Sequence, residues 1–247
     1  METSRRILFS AIFAVVAVVG LIVGVLIGES RSSDDESAPV VSPGEVESPF
    51  LSPGETQVQP KTGTDGLITV TEGSILVGDP EADNVVRIYD DFLCPYCRDL
   101  VVESSDTIEE LASSGDVAFE FIAVDYLGVR STNHYSARAA NASTLVADRY
   151  PDAWLSVKTA LYASQPSRYD EVTTEDLVSL IENEGVSLTE QDVADLENLS
   201  YLSWVYDATA KAAEAQVSGI PAVVVNGEIT DILDPQEFID VVNSLDN

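Results

Sequence analysis

Residues 85–92, VVRIYDDF, form a β-branched and aromatic run with few polar positions, the pattern of a strand buried on both faces. A strand of this kind is stable only inside a sheet covered on both sides, so the chain is committed to layered α/β architecture. The run ends at Cys94-Pro95-Tyr96-Cys97, and RDLVVESSDTIEELASSG follows, with Leu100, Val101, Ile108 and Leu111 on one side of a helix that ends near Gly115. A strand therefore hands over to a helix across the only two cysteines of the 247-residue chain.

The elements around this junction are legible in the same way. LITV (67–70), SILV (74–77) and VAFEFIAV (117–124) are expected strands, and AVVVNGEIT (222–230) is two strands around the hairpin signal Asn226-Gly227. DPQEFIDVVNSL offers Asp234 as N-cap, Pro235 at N1, Glu237 at N3 and an apolar face of Phe238, Val241, Val242 and Leu245. Between the halves, helical patterns cover 136–147, 153–163, 174–183, 189–198 and 201–216. One crossover needs a single helix, so residues 129–216 are expected to be an inserted helical subdomain.

The N-terminus reads differently. Residues 7–28, ILFSAIFAVVAVVGLIVGVLIG, carry no charge, and at a 1.5 Å rise such a run spans about 30 Å of hydrocarbon. It is longer than the apolar core of a cleaved secretory signal, and ESRSSDDE follows without a small-residue cleavage pattern, so a retained transmembrane anchor is expected. Arg5 and Arg6 precede it, which leaves residues 1–6 as a cytoplasmic tip and exports the remainder, a single-pass topology at the cell membrane. Residues 29–64 are rich in Ser, Pro and acidic residues, with SPGE at 42–45 and again at 52–55, and are expected to be a disordered tether reaching roughly 30 to 35 Å. The folded domain is then residues 65–247. With 43 acidic against 12 basic residues, a net charge of −31 excludes nucleic-acid binding, since phosphate would be repelled.

Two cysteines three apart can be a structural staple, part of a metal site or a redox couple. A loop of four residues constrains the unfolded chain little, which disfavours the staple. Structural zinc needs four ligands, and His134 is the single, distant histidine. A copper carrier favours further soft ligands, yet the one methionine is Met1. Redox exchange is favoured, because residues three apart on a tightened first turn can close and reopen a disulfide locally. Cys94, at the helix start, would face unpaired amides and the positive end of the dipole, lowering its thiol pKa below the free value of about 8.5, with Cys97 as resolving thiol. His134 is expected at a helix start without a catalytic role. Trp154 and Trp204 are expected to be core or groove wall.

DDFLCPYC, preceded by GDPEADNVVRIY and followed by NHYSARAANAS, AWLSVKTALYASQP and VSGIPAVVVNG, resembles the DsbA-like thiol:disulfide oxidoreductases over about residues 66–247. The resemblance implies a thioredoxin-like fold with a helical insertion. Cys94 is then the exposed attacking cysteine, Cys97 its resolving partner, and Pro95 and Tyr96 the dipeptide that tunes their potential. Pro221 matches the family's cis-proline and, with Ile220, would hold substrate. Ile220 stands where many relatives carry a hydroxyl residue, and Ile88 and Tyr89 are uncharged, so no buried proton-relay carboxylate is expected there. The implied activity is disulfide formation in exported proteins bearing thiols, with the Cys94–Cys97 disulfide as the sole redox group, no metal, and reoxidation by a membrane quinone-linked partner of the DsbB or vitamin K epoxide reductase type. A reductase or isomerase, and a thioredoxin-fold binding or chaperone module, are the alternatives. No dimerisation segment is apparent, so a monomer is expected.

Overall fold

The computed structural model describes residues 57–246; the apolar run 7–28 and most of the expected tether lie outside them. Among the described residues no helix is long and apolar enough to cross a membrane. Among the same residues seven strands form one sheet in the order β1-β2-β3-β5-β4-β6-β7. They are β1 (Gly63–Asp65), β2 (Ile68–Val70), β3 (Ile75–Val77), β4 (Asn84–Asp90), β5 (Val117–Ala123), β6 (Ala222–Val225) and β7 (Glu228–Ile229). β4 and β5 are parallel, Ile88 opposite Phe121, and all other neighbours are antiparallel.

Among the described residues the α-helices are α1 (Pro95–Ser114), α2 (Tyr135–Arg149), α3 (Trp154–Ala163), α4 (Thr174–Asn183), α5 (Glu190–Glu197), α6 (Leu202–Glu214) and α7 (Pro235–Asn243), so the expected insertion is present as α2 to α6. Side chains alternate across a strand, and β5 shows what covers each face. Phe119 and Phe121 point to one side, against Phe238 of α7 and Trp154 of α3, while Glu120 and Ile122 point to the other, into a cavity shared with Ala208, Lys211 and Ala212 of α6. Trp154 and Trp204 are both core residues, 1% and 2% exposed. The caps are as the sequence dictates: Gly115 ends α1 at φ 87°, and the Asp234 side chain accepts from Glu237 N at 3.0 Å.

One boundary differs. The tether was expected to run to residue 64, but residues 57–61 are already bound to the insertion. Val58 N donates to Ser200 O (2.7 Å), Ser203 N to the Gln57 side chain (3.0 Å) and Lys61 N to Asp148 Oδ1 (2.8 Å). Gly63–Asp65 then pairs with β2. Backbone hydrogen bonds to distant partners order this polar stretch, a signal its composition does not carry.

Candidate active site

β4 delivers the chain to the site. After Asp90, residues 91–93 turn into α1, whose N-cap is Cys94 in extended conformation (φ −81°, ψ 119°) with Pro95 in the first turn, where a missing N–H is harmless. Cys94 N donates to Asp91 O (2.9 Å), and Arg98 N donates to Cys94 O (3.0 Å), closing the first helical turn. The sulfur of Cys94 thereby faces the amides of Tyr96 and Cys97 and accepts a hydrogen bond from the Cys97 thiol. The Cys97 S–H bond contributes most to a lowered Cys94 pKa, and the two amides add to it, against burial and the charge of Asp91. Cys97 moves the other way, well up, because it is buried and sits beside the Cys94 sulfur and Asp90. Both cysteines are free thiols, so the pair is described in its reduced form.

The attacking cysteine was expected to be exposed, and it is not: Cys94 is 1% exposed and Cys97 0%. The loop before β6 covers it. The Ile220-Pro221 peptide is cis, as the resemblance implied, and the Cys94 thiol donates to Ile220 O at 3.6 Å. Ile220 is itself buried, so this loop offers its backbone, while Tyr96 (40% exposed) is the part of the motif that reaches solvent. His134 caps α2 from a left-handed conformation (φ 55°) and makes no side-chain cap hydrogen bond.

No carboxylate stands at Ile88 or Tyr89, as the sequence dictates. The structure supplies one at Asp90, which shares the face of Val86 and Ile88 by strand alternation and is fully buried. Lys158 of α3, 1% exposed, brings its ammonium to 2.6 Å from Asp90 Oδ2. The rings of Phe92, Phe121, Trp154 and Tyr162 surround that ammonium at 4.6 to 5.5 Å. Burial still holds the Asp90 pKa above the ordinary carboxylate value, with Lys158 and the Tyr162 hydroxyl acting in the opposite sense. The charge of Asp90 acts on Cys97 in turn, adding to the burial that holds that thiol protonated.

Asp91, also fully buried, ties the site together. Its Oδ1 accepts from Leu93 N (2.8 Å) and Ser136 Oγ (2.5 Å), and its Oδ2 from Tyr126 N and Leu127 N (both 2.9 Å). The active-site turn, the segment after β5 and the start of α2 thus share one carboxylate. Burial raises it to about 6 despite those donors, and its charge, after burial, helps raise neighbouring Asp125 to about 7. Asp90, Asp91 and Lys158 were all missed as site residues, because each is recognised only when the insertion is folded back on the strand.

A redox dithiol on a helix N-cap, beneath a cis-proline loop and above a buried carboxyl, defines a thiol:disulfide oxidoreductase on a thioredoxin-like fold. A family profile described as Thioredoxin matches residues 70–244, and the chain belongs to that family. Its solved likenesses are DsbA-type enzymes. Disulfide bond oxidoreductase DsbG from Mycobacterium tuberculosis, in reduced form, shares 27% identity at a TM-score of 0.57, covering 69% of this chain and 83% of its own. DsbA from the same organism, oxidised, shares 27% at 0.56, covering 73% and 92%. BdbD from Bacillus subtilis, at 21% identity and a TM-score of 0.57 over 76% of this chain and all of its own, shows the same fold. No curated protein matches the sequence.

Proposed function

We propose that this oxidoreductase works outside the cytoplasm as an oxidase, forming disulfides in exported proteins. The observation that carries this reading is the unequal placing of the two thiols: Cys94 is the helix N-cap, facing amides that favour its thiolate and so make its disulfide a better oxidant, while Cys97 is fully buried in the first turn, which favours its thiol. A substrate thiolate attacks Sγ of Cys94 in the disulfide, and Cys97 leaves as thiolate and takes a proton from solvent, the negative charge of Asp90 beside it favouring the protonated form. A second substrate thiolate then attacks the substrate sulfur of the mixed disulfide, and Cys94 leaves as thiolate. Two electrons pass from the substrate thiols to the protein, which ends as the dithiol. The Ile220 backbone and Pro221 hold the substrate chain beside Cys94, and Pro95 and Tyr96 tune the potential.

The uncharged run 7–28 supports a membrane anchor with the domain exported, and residues 29–56 as its tether. The dithiol is reoxidised by a membrane quinone-linked partner of the DsbB or vitamin K epoxide reductase type. The test is oxidation of a reduced, unfolded polypeptide by the full-length protein in its disulfide form: wild type converts it stoichiometrically and Cys94→Ser does not, while Cys97→Ser, which cannot form the bridge, exchanges its Cys94 thiolate into a polypeptide that already carries a disulfide and accumulates the mixed disulfide. An equal yield from Cys94→Ser would reduce the protein to a binding module. A reduction potential near that of thioredoxin, about −270 mV, would make it a reductase instead.

A further inference from the structure

Helix α3 and the residues just past it carry one stripe, Lys158, Tyr162 and Gln165, four and three positions apart and hence on one face. The stripe meets the end of β4 and the following turn in order. Lys158 pairs with Asp90, and Tyr162 stacks on Phe92 with ring centroids 4.6 Å apart and planes at 22°. Gln165 Nε2 donates to Phe92 O at 2.9 Å and to Cys94 O at 3.0 Å. Both protons of the carboxamide are thus used on the two carbonyls that flank Leu93. Gln165 is itself held, its N–H donating to Tyr162 O at 3.0 Å and Pro166 restricting it from the other side.

Cys94 O already accepts the first hydrogen bond of α1, from Arg98 N. The second donor is therefore superfluous for forming the helix. It is not superfluous for orientation, because it fixes the peptide from which the Cys94 side chain departs.

We propose that Gln165 is a positioning residue of the redox reaction, one that aims the Cys94 sulfur at the Tyr96 and Cys97 amides and so sets its reactivity. This rests on the exchange reading above. The positive end of the carboxamide also points at Cys94, so removing it weakens the reduced, anionic form in the same direction. The oxidised form carries no charge on sulfur and loses less. The helical insertion, through Gln165, thereby adjusts chemistry performed on the thioredoxin-like sheet.

The test uses full-length wild type, Gln165→Ala and Gln165→Glu, the last keeping the shape while replacing the donors with a carboxylate. Each is equilibrated with reduced and oxidised glutathione, and the Cys94 thiolate absorbance is titrated against pH. Gln165→Ala raises the titration midpoint by half a unit to one unit and makes the disulfide less oxidising, about three- to tenfold in the equilibrium constant. Gln165→Glu moves both further in the same direction. Thermal unfolding of the oxidised and reduced forms separates this from plain support: a structural role lowers both equally and leaves the glutathione constant unmoved, which would overturn the proposal. If Gln165→Ala does not fold, Gln165→Glu is read by the same constant. A wild type that does not equilibrate with glutathione sinks the exchange reading; an exchanging wild type with unmoved variants sinks only the role of Gln165.

Discussion

Replacing Lys158 by methionine keeps the length and apolar stem of the side chain and removes one charge at the bottom of the site. Asp90, 0% exposed, then has no cation against it, since Lys158 is its ion-pair partner at 2.6 Å. Removing one member of a buried pair costs about 3 to 5 kcal/mol, against a typical domain stability of about 5 to 15 kcal/mol. The loss is pH-dependent with a definite sign. The folded-state pKa of Asp90 is already raised above 3.8, so its stabilising contribution is complete below that value and is lost as pH rises through the folded pKa. Without Lys158 the folded pKa rises further, so the variant's deficit is large at pH 7 and shrinks towards pH 4 as Asp90 takes its proton. Urea unfolding of the reduced protein at both pH values reads this directly. The double variant Asp90→Asn, Lys158→Met buries no charge and should recover most of the loss at pH 7. A deficit below about 1 kcal/mol, or one equal at both pH values, would refute the buried ion pair as the organising contact.

Three further outcomes are expected. Cys97→Ala removes the largest contribution to the lowered Cys94 pKa, so the thiolate absorbance should titrate at higher pH than in wild type, while Cys97→Ser, which keeps a donor, should fall between them. Asp91 near 6 and Asp125 near 7 both titrate above 3.8 in the fold, so they stabilise it in acid and lose that contribution as pH rises from about 4 to about 7; chemical denaturation should show the slope, and Asp125→Asn should flatten its upper part. Thr173→Ala and Thr189→Ala each break a reciprocal cap at the start of α4 and α5, and each should lower the unfolding free energy by about 1 kcal/mol without changing the glutathione equilibrium.

Local grammar made most of the frame readable. The strand that ends at the motif, the helix that Cys94 opens, the hairpin at Asn226-Gly227 and the Asp234 cap each depend on residues within a few positions of one another. The chemistry below the motif depends on partners far apart in sequence. Ile88 and Tyr89 drew attention as places for a carboxylate, whereas the period of two that identified the strand puts Asp90 on the same buried face as Val86 and Ile88. Lys158 sits in WLSVKTALYA, where an isolated lysine reads as the solvated edge of an apolar helix; only the ring of Phe92, Phe121, Trp154 and Tyr162 makes it interior. Gly63–Asp65 has one branched side chain, Thr64, between residues that disfavour strands, and pairs because β2 offers an edge. The reduced exposure of Cys94 has the same origin, since the loop that covers it lies 126 residues away.

The entry of the chain into the domain has a mechanical consequence. Lys61 is fastened to Asp148 at the far end of α2, while Ser136 at the near end of the same helix holds the carboxylate beneath the sulfurs, about 18 Å away along the axis. Any pull or restraint on the amino-terminal segment therefore acts at the opposite pole from the reactive sulfur. A load applied ahead of Lys61 is thus taken up by α2 at Asp148, and the turn that carries Cys94 keeps its geometry.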